Sequence, residues 1–245
     1  MEITVLTENT VSRRGLLAEH GLSVLVEEGG KRILFDTGQS GVYIHNAEQL
    51  GISLEGLDAI VLSHGHYDHT GGLPEFPGEV SCPVYLSGKA LEDKWCLAGT
   101  RCIGVPWRED AQELERLPLV FTWEQEEIFP GIYLLGQIST TVPSEMGEKP
   151  FRILQNGRYL PDTMEDEQLL VIRTPQGLAV FAGCAHPGIL SCVEKVKRTF
   201  PGEKLYSLLA GMHLRGCPQE RVEETITGLK EAGFTYLIPL HCTGT

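Results

Sequence analysis

Within six residues the chain sets down His64, His66, Asp68 and His69, just after Ser63 and the apolar run 59–62. That run reads as a buried strand, because aliphatic and β-branched residues follow one another with no polar face. Three imidazoles and a carboxylate so close together would cost stability in a core and would crowd one another if merely solvated. A metal ion resolves both difficulties, since zinc and related ions accept imidazole nitrogen and carboxylate oxygen. His64 and His66 are two apart, so an extended or turning backbone points both the same way. Gly65 between them allows a tight path. Asp68 and His69 fall where the backbone turns into a helix and aim at a second point nearby. The spacing predicts a metal site, and a pair of ions in it.

The distant histidines extend this reading. Histidine occurs at 20, 45, 64, 66, 69, 186, 213 and 241, with none between 69 and 186. If a metal held by His64 and His66 takes a third imidazole from farther along, His186 is the first source. Three later strands each end just before a histidine, at 186, 213 or 241, and in layered α/β proteins the site lies where strand ends open onto loops. His45 falls inside an expected helix and reads as an ordinary surface residue. Asp36 leaves a strand end as His64 does. It reads either as a helix cap or as support for a metal ligand.

The elements that must position these residues are visible in the hydrophobic pattern. Strands are predicted over 2–7, 24–28, 33–35, 59–62, 84–86, 119–122, 132–135, 169–173, 178–181, 205–209 and 236–240. Helices are predicted over 40–50, 88–97, 189–199 and 219–232. Gly29 and Gly30 mark a hairpin turn. From about 98 to 167 the pattern weakens and prolines at 106, 130, 143, 150 and 161 break any long helix. That segment carries Arg101, Trp107, Arg108, Trp123, Arg152, Arg158 and Tyr159. It reads as a loop-rich insertion in a single domain spanning 1–245, either a cover over the site or a solvated surface insertion.

The length of 245 residues is ample for a buried core, and 42% hydrophobic with 22% charged residues is ordinary for a soluble globular protein. A net charge of −13 argues against nucleic acid and anionic membranes as partners. It leaves room for an anionic substrate, because a metal pair makes its site locally positive. No stretch approaches the roughly 20 apolar residues that cross a bilayer, and no basic-then-apolar signal precedes the first strand. Seven scattered cysteines without a Cys-x-x-Cys pair suggest reduced thiols and a cytoplasmic location, with a Cys96–Cys102 bridge as the minority alternative. Oligomeric state is not legible.

The run His-Gly-His-Tyr-Asp-His at 64–69, preceded by Asp-Thr-Gly at 36–38 and followed by strand-end histidines, resembles the metallo-β-lactamase superfamily over essentially the whole chain. Three further phrases resemble the branch of the dihydropterin–aminobenzene-phosphate synthases. They are residues 18–23, Gly-Cys-Ala-His-Pro-Gly-Ile at 183–189, and Pro-Leu-His-Cys-Thr-Gly at 239–244. The resemblance implies an α/β fold, a four-layer αββα sandwich, with a dinuclear metal site at one edge of two sheets. It implies that His64, His66 and a later histidine hold one ion, with His186 preferred and His213 the rival. It implies that Asp68, His69 and His241 hold the other. Where the superfamily pattern ends a strand in Gly-Asp, this chain has Gly183 and Cys184. Either Cys184 replaces the bridging carboxylate, or water alone bridges the ions. A thiolate favours zinc, and its absence leaves a pair open to manganese or iron.

The expected activity is metal-dependent hydrolysis of a phosphoester or similar small substrate. Two ions ~3.5–4 Å apart would lower the pKa of a bridging water toward neutrality. Asp68 and His213 are the expected catalytic residues, His213 serving as oxyanion stabiliser or proton donor. His20, Glu19, Arg152 and Arg158, with His213, are the expected substrate contacts, the arginines as phosphate clamps. Two alternatives stand beside hydrolysis. One is a synthase-type transferase in which pyrophosphate is displaced and Trp107, Trp123 or Tyr159 stacks on a pterin-like ring. The other is a non-catalytic, metal-containing ligand sensor.

Overall fold

The structure is a computed structural model that describes residues 1–96, 100–147 and 149–244. In chain order the first elements are β1 (Glu2–Thr7), β2 (Ser23–Glu28), β3 (Lys31–Phe35), α1 (Val42–Leu50), β4 (Ala59–Val61) and α2 (Tyr67–Thr70). Then come β5 (Val84–Ser87), β6 (Lys94–Cys96), β7 (Arg101–Cys102), α3 (Ala111–Arg116), β8 (Leu119–Thr122), β9 (Gln125–Phe129) and β10 (Ile132–Leu135). The chain continues through β11 (Phe151–Gln155), β12 (Arg158–Pro161), β13 (Leu169–Thr174), β14 (Gly177–Ala182) and α4 (Ile189–Thr199). It ends with β15 (Leu205–Ala210), α5 (Gln219–Ala232) and β16 (Tyr236–Pro239). These elements form two compact units. Residues 1–121 and 150–162 make the first; residues 122–149 and 163–245 make the second.

The first unit holds a six-stranded sheet in the order β1-β2-β3-β4-β5-β8. β1, β2 and β3 form an antiparallel meander, and β3, β4 and β5 then run parallel. The β2–β3 hairpin closes on Gly29 (φ 58°) and Gly30 (φ 76°). Two consecutive positive φ angles suit the right-handed twist of the flanking strands, and glycine reaches them without strain. Ala59, Ile60 and Val61 are fully buried, as a parallel strand covered on both faces requires. Leu25, Leu34, Ile60, Leu62, Val84 and Leu86 pack with Tyr43 and Ala47 of α1 into one apolar core. Burial pushes the Tyr43 phenol well above its ordinary range, with the charge of Glu75 adding to the effect.

A second sheet of the first unit, β12-β11-β6-β7, replaces the helix expected over 88–97. Lys94, Trp95 and Cys96 pair with Ile153, Arg152 and Phe151. Local propensity lost here to a partner strand far downstream. Leu97, the last residue of that expected helix, lies outside the described residues. The segment from 98 to 167 thus carries more regular structure than its prolines suggest, and the strands expected over 119–122 and 132–135 are β8 and β10. Lys94 and Asp162 form a buried ion pair of 2.7 Å in this unit. Cys96 and Cys102 are both free thiols and do not bridge.

The second unit repeats the strand logic of the first. Its sheet runs β16-β15-β14-β13-β10-β9. β9, β10, β13 and β14 are antiparallel neighbours, and β14, β15 and β16 run parallel. Ile189, Cys192, Val193 and Val196 of α4 fall on one helical face and join Leu178, Val180 and Leu208 in a separate core. Burial pushes the Cys192 thiol well up, and the negative charges of Glu167 and Glu145 push in the same direction. Among the described residues, no helix is long and apolar enough to cross a membrane.

Parallel neighbours deliver their C-terminal ends to one edge of a sheet. In the first unit that edge carries the residues after β3, β4 and β5; in the second, those after β14, β15 and β16. Gly65 shows how tightly the first edge is built. A Cβ added there would stand 1.9 Å from the Ala90 carbonyl oxygen. The Gly65→Ala variant should therefore lose roughly 1–3 kcal/mol of stability through overpacking. Urea denaturation would register this as a lower midpoint, and an unchanged midpoint would show that the Ala90 backbone yields freely.

Candidate metal centre

Asp36, the residue immediately past β3, organises the ligand cluster of the first unit. It is fully buried and takes a left-handed conformation with φ 58°. Its own N–H donates to the Val61 carbonyl at 2.8 Å. Oδ1 accepts the Ser63 N–H at 2.7 Å, and Oδ2 accepts the Ser63 hydroxyl at 2.7 Å. The same Oδ2 lies 2.7 Å from His69 Nδ1. A buried carboxylate is tolerated only when bonded in this way.

These contacts fix which nitrogen of each ring carries the proton. A carboxylate only accepts, so His69 Nδ1 must be the donor. The Ser63 hydroxyl has committed its proton to Asp36, so its oxygen, 2.9 Å from His64 Nδ1, accepts from that ring. Both imidazoles then present Nε2 as the lone-pair nitrogen, the tautomer that ligates a metal. Asp36 does not cap a helix, since α1 starts from Gly41 with no side-chain cap. The support role is the one it takes.

The rings of His64 and His66 lie 4.5 Å apart at 72°, and those of His64 and His69 lie 4.3 Å apart. Ligand nitrogens of each of these two pairs come within 4.8 Å of one another. Phe151 of β11 packs on His66, with ring centroids 5.2 Å apart. Asp68, in the first turn of α2, has Oδ2 3.1 Å from His20 Nε2 and 3.8 Å from His69 Nε2. The Thr37 N–H and hydroxyl both donate to the His69 carbonyl. The Trp107 indole donates to the Thr70 carbonyl at 2.8 Å. Buried to 4% exposure, Trp107 holds the end of α2 and cannot stack on a substrate, which corrects its expected role.

The remaining expected residues of this unit fall in different places. Glu19 accepts from the Gln39 N–H, the Ser40 N–H and the Ser40 hydroxyl, and so clamps the turn after β3. His20 is half exposed beside Asp68. Arg152 alternates with Phe151 along β11 and so points to the sheet face opposite the one that meets His66. Arg158 pairs with Gln155 and shares the Phe151 face, at its exposed far end. His45 contacts the Gly15 carbonyl from α1, away from the cluster.

The second unit has its own carboxylate support, which the sequence did not reveal. Glu167, fully buried, accepts the N–H groups of Cys184 (3.3 Å), Ala185 (2.9 Å) and His186 (3.1 Å). Ala185, between the two candidate ligands, sits at φ 50°. Glu145 does the same for α4, accepting from Leu190 and Ser191. Burial lowers the Lys149 ammonium pKa, and the charges of Glu167 and Glu145 pull it back up. The His186 and His213 rings lie 4.7 Å apart. His186 and His241 are buried, at 5% and 4% exposure, whereas His213 is exposed. Cys184, His241 and Cys242 bring their ligand atoms within 4.8 Å of one another.

The first unit therefore gathers His64, His66, Asp68 and His69, and the second gathers Cys184 with His241 and His186 with His213. Imidazole, carboxylate and thiol donors with fixed tautomers suit a divalent transition metal. Ser63, Glu167 and Cys242 were not singled out by sequence pattern. Asp36→Asn would offer an amide where His69 requires an acceptor. It should weaken metal retention about 10–100-fold while the protein stays folded, as read by chelator competition. Unchanged retention would show that the tautomer is set elsewhere.

A family model described as the metallo-β-lactamase superfamily matches residues 17–147. The 7,8-dihydropterin-6-methyl-4-(β-D-ribofuranosyl)-aminobenzene-5'-phosphate synthase of Methanocaldococcus jannaschii is 36% identical over 243 residues, covering 93% of this chain and 82% of that protein. An uncharacterised protein of the same organism is 32% identical over 244 residues, covering 99% of this chain and 90% of its own length. A crystal structure of a metal-dependent hydrolase of the β-lactamase superfamily superposes with a TM-score of 0.85 at 37% identity, covering 99% of this chain and 88% of that one.

Proposed function

The chain belongs to the metallo-β-lactamase superfamily, and from that premise we propose that it is a transferase of the dihydropterin–aminobenzene-phosphate synthase type. The observation that carries this reading is the 36% identity to the synthase over 93% of this chain. It also corrects the expectation of hydrolysis. A relative of named reaction over nearly the whole chain is a synthase, whereas the hydrolase structure is described without a substrate.

In the proposed reaction the nitrogen of an arylamine bearing a ribose 5'-phosphate attacks the methylene carbon on a pterin ring. The carbon–oxygen bond to a pyrophosphate group breaks, pyrophosphate leaves with the bond's electrons, and the amine gives up one proton. His64, His66 and His186 are the proposed ligands of one divalent ion, and Asp68, His69 and His241 of a second. When bound, such a pair supplies concentrated positive charge for the oxygens of a phosphorylated substrate and its leaving group. Asp36, through Ser63 and directly, keeps His64 and His69 in their ligating tautomers. Glu167 holds the backbone that presents His186.

His213 is the proposed acceptor of the amine proton. Its ring is exposed, an imidazole can take up a proton, and its backbone is held on both sides. Trp123 and Tyr159, at 57% and 43% exposure, are the proposed stacking surfaces for a flat pterin ring, in place of the buried Trp107. The substrate is thus a small phosphorylated molecule, and the ion proposed is zinc.

The test is to incubate metal-loaded protein with a dihydropterin methyl pyrophosphate and the arylamine ribose phosphate. Condensed product and pyrophosphate should appear in equal amounts; a fully loaded protein that yields neither would sink the transferase reading. Replacing His213 with Gln should lower kcat by about 10²–10⁴-fold, the span of general acid–base catalysis. Metal content should not change, and an undiminished kcat would remove His213 from the chemistry.

A further inference from the structure

One corner of the second unit is richer in sulfur than the proposed ligand set requires. We infer that Cys184, His241 and Cys242 together form a thiol-rich metal position in which Cys242 supplies a second sulfur ligand. This rests on the reading of the chain as a metal-dependent enzyme and deepens it, since it names the donors around His241.

The three ligand atoms lie within 4.8 Å of one another and are carried by the ends of β14 and β16, the two strands that flank β15 in one sheet. Cys184 is 3% exposed and His241 4% exposed, so two of the three donors are withdrawn from water before any ion arrives. The surrounding backbone is shaped to admit the Cys242 sulfur. A Cβ added at Gly211 would lie 2.8 Å from Cys242 Sγ and 2.2 Å from the Gly183 carbonyl oxygen, so only glycine leaves room for that sulfur. His241 itself takes φ 53°, a left-handed turn just before Cys242. Thr243 then pins the turn, accepting the Met212 N–H at 3.0 Å and donating to the Ala210 carbonyl.

Backbone contacts from both sides also place the sulfur, whose S–H donates to the Cys184 carbonyl oxygen at 3.8 Å. The His213 backbone N–H donates to Cys242 Sγ at 3.3 Å. Such an N–H donor stabilises negative charge on a ligating sulfur and orients it, as outer-shell partners do at metal sites generally. On binding, each thiol releases its proton to solvent and keeps its electron pair for the metal–sulfur bond, so no redox partner is needed. Two soft donors and one imidazole select zinc or a similarly thiophilic ion over magnesium, calcium or manganese. Cys217 is the useful contrast. Its sulfur meets the His213 carbonyl at 3.4 Å and belongs to no ligand group.

Cobalt(II) replacing the native ion reports sulfur ligation directly, through an intense thiolate-to-cobalt charge-transfer absorption in the near ultraviolet. The cobalt-loaded full-length protein should show this absorption. Cys242→Ser should remove about half of its intensity, and Cys184→Ser with Cys242→Ser should remove all of it. Cys217→Ser should leave it unchanged. The Cys242→Ser protein should also surrender cobalt to a chelator at least ~10-fold more readily, the smallest effect seen for outer-shell losses. Bound cobalt whose absorption survives Cys242→Ser intact would overturn the inference while leaving the metal enzyme standing. Failure of the folded protein to bind cobalt at all would overturn both.

Discussion

The carboxylate of Asp36 is the contact on which the first unit's chemistry depends. It is buried, so its charge is tolerated only because it receives the Ser63 N–H, the Ser63 hydroxyl and the His69 ring. Each of those partners is also a delivery step. Ser63 passes the constraint to His64, and the same oxygen that holds Ser63 holds His69. One side chain thereby sets the proton positions on two rings about thirty residues downstream. Its left-handed backbone is what lets a residue leaving β3 turn back under the end of β4.

Glu167 plays the corresponding part in the second unit by a different route. It acts on the main chain, tying three successive N–H groups from Cys184 to His186. Both units use an antiparallel meander followed by two parallel strands, and both place a buried acid beside the ends of the parallel strands. The acid fixes ring tautomers in one unit and backbone shape in the other. Geometry that strand ends alone would leave loose is supplied in each case by a single buried carboxylate.

Much of this was legible in the sequence. Fully apolar runs such as 59–62 announced buried strands, and the spacing of His64, His66, Asp68 and His69 announced metal chemistry. Asp36 was noticed because it leaves a strand end. Glu167 was not, because one acid among 33 carries no spacing signal until its three amide partners are seen in space. Lys94, Trp95 and Cys96 looked helical because their pairing strand, β11, is remote in the chain. Trp107 looked like a stacking platform because an indole in a proline-rich stretch resembles a surface feature, while its N–H was in fact engaged by Thr70. Cys242 stood in plain view beside His241. Only the space left by Gly211 gives its sulfur a purpose.

Non-glycine residues with positive φ recur at the strand ends of both units: Asp36, Ala185, His213 and His241. A backbone held in such a region stores about 1–3 kcal/mol per residue. The strained stretches coincide with the ligand-bearing ones, so the strain is stored where an ion would bind. An ion that binds only the folded arrangement adds stability in proportion to its concentration. Metal supply would then set how much of the strain at these turns is offset, and so how stable the folded population is.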